Sequence, residues 1–472
     1  MHRESSLDAL RGLAIVGMVL SGSIAFGGVL PAWMYHAQVP PPLHQFDPTL
    51  PGITWVDLVF PFFLFSMGAD FPLALRGAIE QHRPALHLWK LATQRFFLLA
   101  FFALFSQHLK AWVISSEPGV KEQCLSLSAF ALLFGIFYRG FFGLAGRYQK
   151  WIRGGCFVLA LFLLARLPFH KGAGFDLYKS DIILMVLSNM AFFGLLLYYF
   201  TAHRPLLRLL ILPAVAAIIL SAREPADNPV KAFFYFNQIA GFKFDWLYKF
   251  YFLKYLFIVI PGTLAGEWML TDSWREPLKA RPVMQWVYGS TVVLLLMGFL
   301  YLLLYRQQPA SLQGVSIWIL FFLSTVLLYF VFRNTSQRSV KDMMMAGWVL
   351  LFIGLLMEPY EGGIKKDPST FSYYFVCSGF AFLLLPLFRF LSAQVMGRYL
   401  LAPLIDIGKN PMLAYVAGSL LILPLFSLTG IKVYWDGLIH SPWQGLLKGL
   451  LFTGAVILVT RYSVKRRWLW KT

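Results

Sequence analysis

The chain has 472 residues, 58% of them hydrophobic and only 13% charged, which excludes a soluble multidomain protein and points to a polytopic membrane protein. Its formal charge of +19 is spread over short loops, with no basic domain and no nucleic-acid motif, so nucleic acid is excluded as a partner. Cys124, Cys156 and Cys377 are isolated and have neither metal-site nor disulfide spacing.

The first apolar run, near Leu7 to Leu30, carries Asp8 and Arg11 and lacks a clean small-residue cleavage site, so it reads as a membrane span and not as a cleaved leader. Asp8 and Arg11 are three apart, share a helix face, and form a candidate intrahelical ion pair.

Residues 31–54 follow as a loop between two spans. Pro40, Pro41 and Pro42 rule out a regular helix there, because each lacks a backbone donor and restricts the residue before it. The loop contains His36, His44 and Asp47, and a histidine can serve near neutral pH as general base or as nucleophile. His44, with Asp47 three residues on, is the first candidate, and His36, beside Trp33 and Tyr35, is the second.

The second helix opens at Trp55 and runs through residues 55–75. Thr54 is its expected cap and Trp55 an interface anchor. Asp57 falls in the first turn, where it either caps the helix or orients a loop imidazole. Asp70, deeper in the same helix, is expected to pair with Arg95.

Beyond it the apolar runs continue to about fourteen in all, within a range of 12–14, and give an all-α helix bundle in a single domain spanning residues 1–472. No repeat of fixed period appears. Lys and Arg concentrate in alternate loops, such as Arg76 with Arg83, Arg139 to Arg153, and Arg275 with Lys279 and Arg281, and in the tail from Arg461 to Arg467. That places both termini in the cytoplasm and the histidine loop on the periplasmic face of a bacterial inner membrane. The remaining histidines, His2, His82, His87, His108, His170, His203 and His440, are scattered, and no pair has metal-ligand spacing, so no metal is expected. Late in the chain, Lys366 stands in a polar stretch before a span, and Asn410 precedes Pro411 in the manner of a helix start.

Four stretches, in order, carry a resemblance: SLDALRGLAIVGMVL (Ser6 to Leu20), GITWVDLVFPFFLFSMG (Gly52 to Gly68), IKKDPSTFSYYFVCSG (Ile364 to Gly379) and GKNPMLAYV (Gly408 to Val416). Together they resemble the heparan-α-glucosaminide N-acetyltransferase family of membrane acetyltransferases. WMYHAQ, FDP and PGITWVDLVFP point within it to a bacterial offshoot labelled a domain of unknown function.

The resemblance implies transfer of an acetyl group from cytoplasmic acetyl-CoA to an amino sugar or glycan hydroxyl across the membrane, by a homodimer embedded in membrane lipid. The family histidine falls on His44 or on His36, depending on the length of the loop from Gln45 to Pro51. The family aspartate falls on Asp57 and the late asparagine on Asn410. Asn410, Lys366, Asp47 and Trp55 are then the candidates for substrate contact. Where the family often has an asparagine at the end of the first helix, this chain has Ser21 and Gly22. Two other classes fit the same residues: a sugar or lipid-linked glycan transporter with the histidines coupling protons, and a non-catalytic membrane partner of a glycan-processing system.

Overall fold

The computed structural model describes residues 4–24, 30–140, 146–239, 241–276, 282–304, 310–437 and 441–472. His2, His440, Lys279 and Arg281 lie outside them, as does the side chain of His170. Among the described residues, 13 helices are long and apolar enough to cross a membrane, and the regular β-structure is a two-residue ribbon pairing Gln238–Ile239 with Phe242–Lys243. The fold is thus an all-α polytopic bundle, and the protein is an integral membrane protein. The expected run from Trp151 to Leu167 does form a helix, Gly146–Arg166, but Arg147, Lys150 and Arg153 crowd its first turns and it is not among the 13.

The helices gather into two compact units. No composition change marks the division, because both units are built from the same apolar helices.

The first unit comprises residues 1–80, 257–408 and 441–449. Its centre is the Phe371–Ala393 helix, apolar on every side, with 18 of its 23 residues buried. Arg338–Met357 packs antiparallel along it, and Ser5–Ser23 and Trp55–Glu80 also lie against it. By contrast, only 28% of the Ser316–Asn334 span is buried, so its apolar surface is left for lipid.

The first helix meets Val395–Lys409 backbone to backbone. A Cβ on Gly12 would stand 1.8 Å from the carbonyl oxygen of Leu404, and one on Gly408 the same distance from that of Asp8. Only glycine permits that approach, which is a common device for helix contact in membranes. The closeness brings Arg11 to the end of the neighbouring helix, where its guanidinium donates to the Gly408 carbonyl at 3.1 Å. Arg11 also pairs with Asp8 at 3.3 Å, as expected from their spacing, and with Asp70. Asp70 is therefore the partner of Arg11, where the sequence suggested Arg95. Three charges held together make an arginine tolerable within a span.

The second unit comprises residues 81–256, 409–440 and 450–472. In it Ala85–His108 packs along Ile182–Thr201, and Val120–Phe137 along Gly146–Arg166. Its C-terminal segment is pinned by Asn410, whose amide donates to the Trp468 carbonyl at 2.8 Å and to Ser463 at 3.1 Å and accepts from the Trp470 amide at 3.1 Å.

Candidate active site

The head of the Trp55–Glu80 helix is organised by Asp57. Thr54 precedes it, and Asp57 reaches back with one carboxylate oxygen, Oδ2, to accept from the Thr54 amide at 3.0 Å and the Thr54 hydroxyl at 3.1 Å. This is one half of a capping box, since the Thr54 hydroxyl is itself a donor, to the Tyr35 carbonyl at 2.7 Å as well as to Asp57. The same oxygen accepts the Ala37 amide at 3.2 Å, which draws the histidine loop onto the helix.

The other oxygen, Oδ1, lies 2.7 Å from Nδ1 of His36. Asp57 thus does both things the sequence left open, capping the helix with one oxygen and orienting an imidazole with the other. The carboxylate is 3% exposed and the imidazole 36%, so the pair joins a buried anion to a ring that meets the solvent edge. A carboxylate on Nδ1 fixes the proton there and turns Nε2 outward as the basic nitrogen.

The histidine that meets Asp57 is therefore His36. His44 takes a left-handed backbone, φ 49°, where its amide closes the proline turn on the Pro40 carbonyl at 3.0 Å. Its ring packs edge-on against buried Tyr35, with centroids 4.4 Å apart. Asp47 does not stand behind either histidine. It forms a local turn, accepting the Thr49 amide at 2.8 Å and hydroxyl at 2.6 Å, and these bonds hold its carboxyl below the usual range. Trp55 packs in a small apolar cluster with Ile24, Leu30, Met34 and Tyr35.

Lys366 arrives from the loop before Phe371–Ala393. Its Nζ is 3.1 Å from Nδ1 and 3.5 Å from Nε2 of His36, and 3.7 Å from Asp57 Oδ1. A point so nearly equidistant from both ring nitrogens would collide with Cε1 if it lay in the ring plane, so the amine stands over the ring face. Burial lowers the lysine's pKa against the opposing pull of Asp57 and Asp367, although 29% exposure of the side chain tempers the effect.

Two residues that sequence reasoning did not single out hold this group together. Gln38, 4% exposed, pairs with the backbone of Asp367, donating to its carbonyl at 2.6 Å and accepting its amide at 2.9 Å. The residue next to Lys366 is thereby clamped to the residue two beyond His36. Tyr373, buried in the central helix, donates its hydroxyl to the Asp57 carbonyl at 2.7 Å. That carbonyl needs a side-chain donor because the residue four positions on is Pro61, which has no N–H to give. The D-x-x-x-P spacing signals the vacancy in advance, while the identity of the donor is a tertiary fact.

Of the candidates read from sequence, the first unit brings together His36, Asp57 and Lys366. Asn410 belongs to the second unit, where both its amide hydrogens and its carbonyl are engaged with the C-terminal segment. Its side chain caps no helix, and Pro411 alone provides the helix start there.

The fold and the site define the class: a polytopic α-helical membrane protein with a histidine–aspartate pair at the head of its second span. The chain belongs to the family described as Domain of unknown function (DUF5009), whose model matches residues 3–269, more than half of its length. The match includes Arg11, His36, Gln38, Asp57 and Asp70 and ends before Lys366 and Tyr373. No curated protein matches the chain.

Proposed function

We propose that the protein is a transmembrane acetyltransferase that passes the acetyl group of acetyl-CoA to the amine or hydroxyl of an amino sugar or glycan, with His36 as base or acetyl carrier. The observation that carries this reading is the 2.7 Å pairing of His36 Nδ1 with the buried Asp57 carboxylate, which leaves Nε2 as the reactive nitrogen. The four matching sequence stretches support it.

As base, Nε2 takes the proton of the acceptor while the acceptor's nitrogen or oxygen attacks the thioester carbonyl. The C–S bond then breaks, and the departing thiolate recovers the proton from the imidazolium. As carrier, Nε2 itself attacks the thioester and hands the acetyl group on. In either course Asp57 holds the ring in place, and Lys366 in its protonated form is the cation that would offset the negative charge growing on the carbonyl oxygen. The alternating basic loops suit a polyanionic CoA on the cytoplasmic side of a bacterial inner membrane and leave the histidine loop to the periplasm. A homodimer accords with the same reading.

The test is release of CoA thiol by detergent-purified protein supplied with acetyl-CoA and a panel of glucosamine-type acceptors. Acceptor-dependent release that disappears in His36→Ala supports the transferase. Absence of release with every acceptor, together with no binding of acetyl-CoA, overturns it in favour of a transporter.

A further inference from the structure

Lys366 presents to His36 the same functional group that an amino sugar would. Its Nζ stands over the imidazole face, 3.1 and 3.5 Å from the two ring nitrogens. An acetyl group on Nε2 conjugates with the ring and lies close to its plane, so a nucleophile attacks its carbonyl from above or below that plane. Lys366 occupies one of those two sides. Gln38 fixes the adjoining backbone, so the amine is held at this position and does not wander on a free loop. We propose that Lys366 is an acetylation site of the protein itself, modified by way of His36 when no external acceptor is bound.

This inference rests on the transferase reading. In the step, Nε2 attacks the acetyl carbon of acetyl-CoA, the C–S bond breaks, and the sulfur leaves as the thiol with the proton that Nδ1 had held. The neutral lysine amine then attacks the acetyl carbon, the Nε2–C bond breaks, and a C–N amide bond forms at Nζ. The proton shed by the amine returns to the imidazole, which ends as it began. The groups facing the amine are His36, Asp57, Asp367 and Cys377. Burial lowers the pKa of Lys366 and so makes the uncharged amine that the attack requires easier to reach than in a free lysine. Acetylation leaves Lys366 unable to take up a proton beside Asp57 and fills the space over the ring, which turns the site off.

The experiment is incubation of the purified full-length protein with acetyl-CoA and no acceptor, followed by peptide mass spectrometry. Lys365, the adjacent lysine on the same loop, serves as the internal measure of uncatalysed acetylation. The expected result is acetylation of Lys366 faster than Lys365 by on the order of 100-fold, reduced to the Lys365 rate in His36→Gln and suppressed by added glucosamine. Elution of the His36→Gln variant at the wild-type volume in detergent shows that it has folded. Acceptor turnover accompanied by Lys366 acetylation no faster than that of Lys365 overturns this proposal and leaves the transferase standing. Neither turnover nor Lys366 acetylation overturns both.

Discussion

The hydroxyl of Tyr373 donates to the backbone carbonyl of Asp57 at 2.7 Å, filling the place that Pro61 leaves empty in the second helix. A side chain from the central helix thus completes the first turn of the helix that carries the catalytic candidate. Tyr373→Phe should cost about 1–3 kcal/mol, the penalty of orphaning a buried acceptor. Pro61→Ala restores an N–H four residues on, so Tyr373→Phe should cost measurably less in that background. A double-mutant cycle by chemical unfolding in mild detergent measures the coupling, and additive costs would refute the pairing of roles.

His36 and His44 separate cleanly. In the CoA-release assay His36→Ala should lower the rate by about 10²- to 10⁴-fold, the usual contribution of a positioned base. His44→Ala loses a ring contact with Tyr35 worth about 1 kcal/mol and should keep most of the wild-type rate. The reverse ranking would move the site to the proline turn.

Gln38 acts through Lys366. Gln38→Glu retains an acceptor for the Asp367 amide but sets a carboxylate against its carbonyl, so it should loosen the lysine loop more than Gln38→Ala does. Both should reduce kcat with little change in the KM for acetyl-CoA, because the lysine is asked to act on the developing charge and not on the bound ground state. A rise in KM at constant kcat would assign Gln38 to binding instead.

The pH dependence of stability follows from the lowered pKa of Lys366. Between that lowered value and the ordinary 10.5, the unfolded chain binds more protons than the folded one, so stability contributed at this position rises with pH across the window. Wild type should therefore gain on Lys366→Met as the medium is made more alkaline below 10.5. Unfolding midpoints measured for both proteins across that range decide the point, and parallel curves would exclude it.

Arg11 joins three elements of the first unit. Arg11→Ala removes the cation that Asp8 and Asp70 share and the donor to Gly408. The expected loss is about 3 kcal/mol, the lower end for a broken buried pair because the Asp70 side chain is 42% exposed. Gly408→Ala should destabilise by about 1–3 kcal/mol through overpacking against Asp8, while Gly154→Ala, with no neighbour within 4 Å of the added carbon, serves as control.

Much of this architecture could be read from residue order because it depends on local rules. The helix start at Trp55, the reach of Asp57 back to Thr54, and the Asp8–Arg11 pair all follow from spacings of three or four residues. The choice between His36 and His44 does not, since a loop broken by three successive prolines has no period from which to infer which ring turns inward. The partner of Asp70 escaped for a different reason: the sequence pointed to Arg95, and Arg11 reaches Asp70 from a separate helix whose packing against the second no local spacing announces. Asn410 looks like a substrate ligand in a motif and becomes a tether for the C-terminal segment once Trp468 and Trp470 are placed beside it. Gln38 and Tyr373 gave no local signal, as each bonds to backbone more than 300 residues away.

Asp57 divides its two oxygens between a helix terminus and an imidazole, so the two cannot change independently. Loss of the imidazole, as in His36→Ala, alters the charge that Oδ1 must share, and Oδ2 transmits the change to the amides of Ala37 and Thr54. The exchange of those two amide hydrogens with deuterated solvent is consequently a gauge of whether the ring is seated on the carboxylate, readable without any substrate.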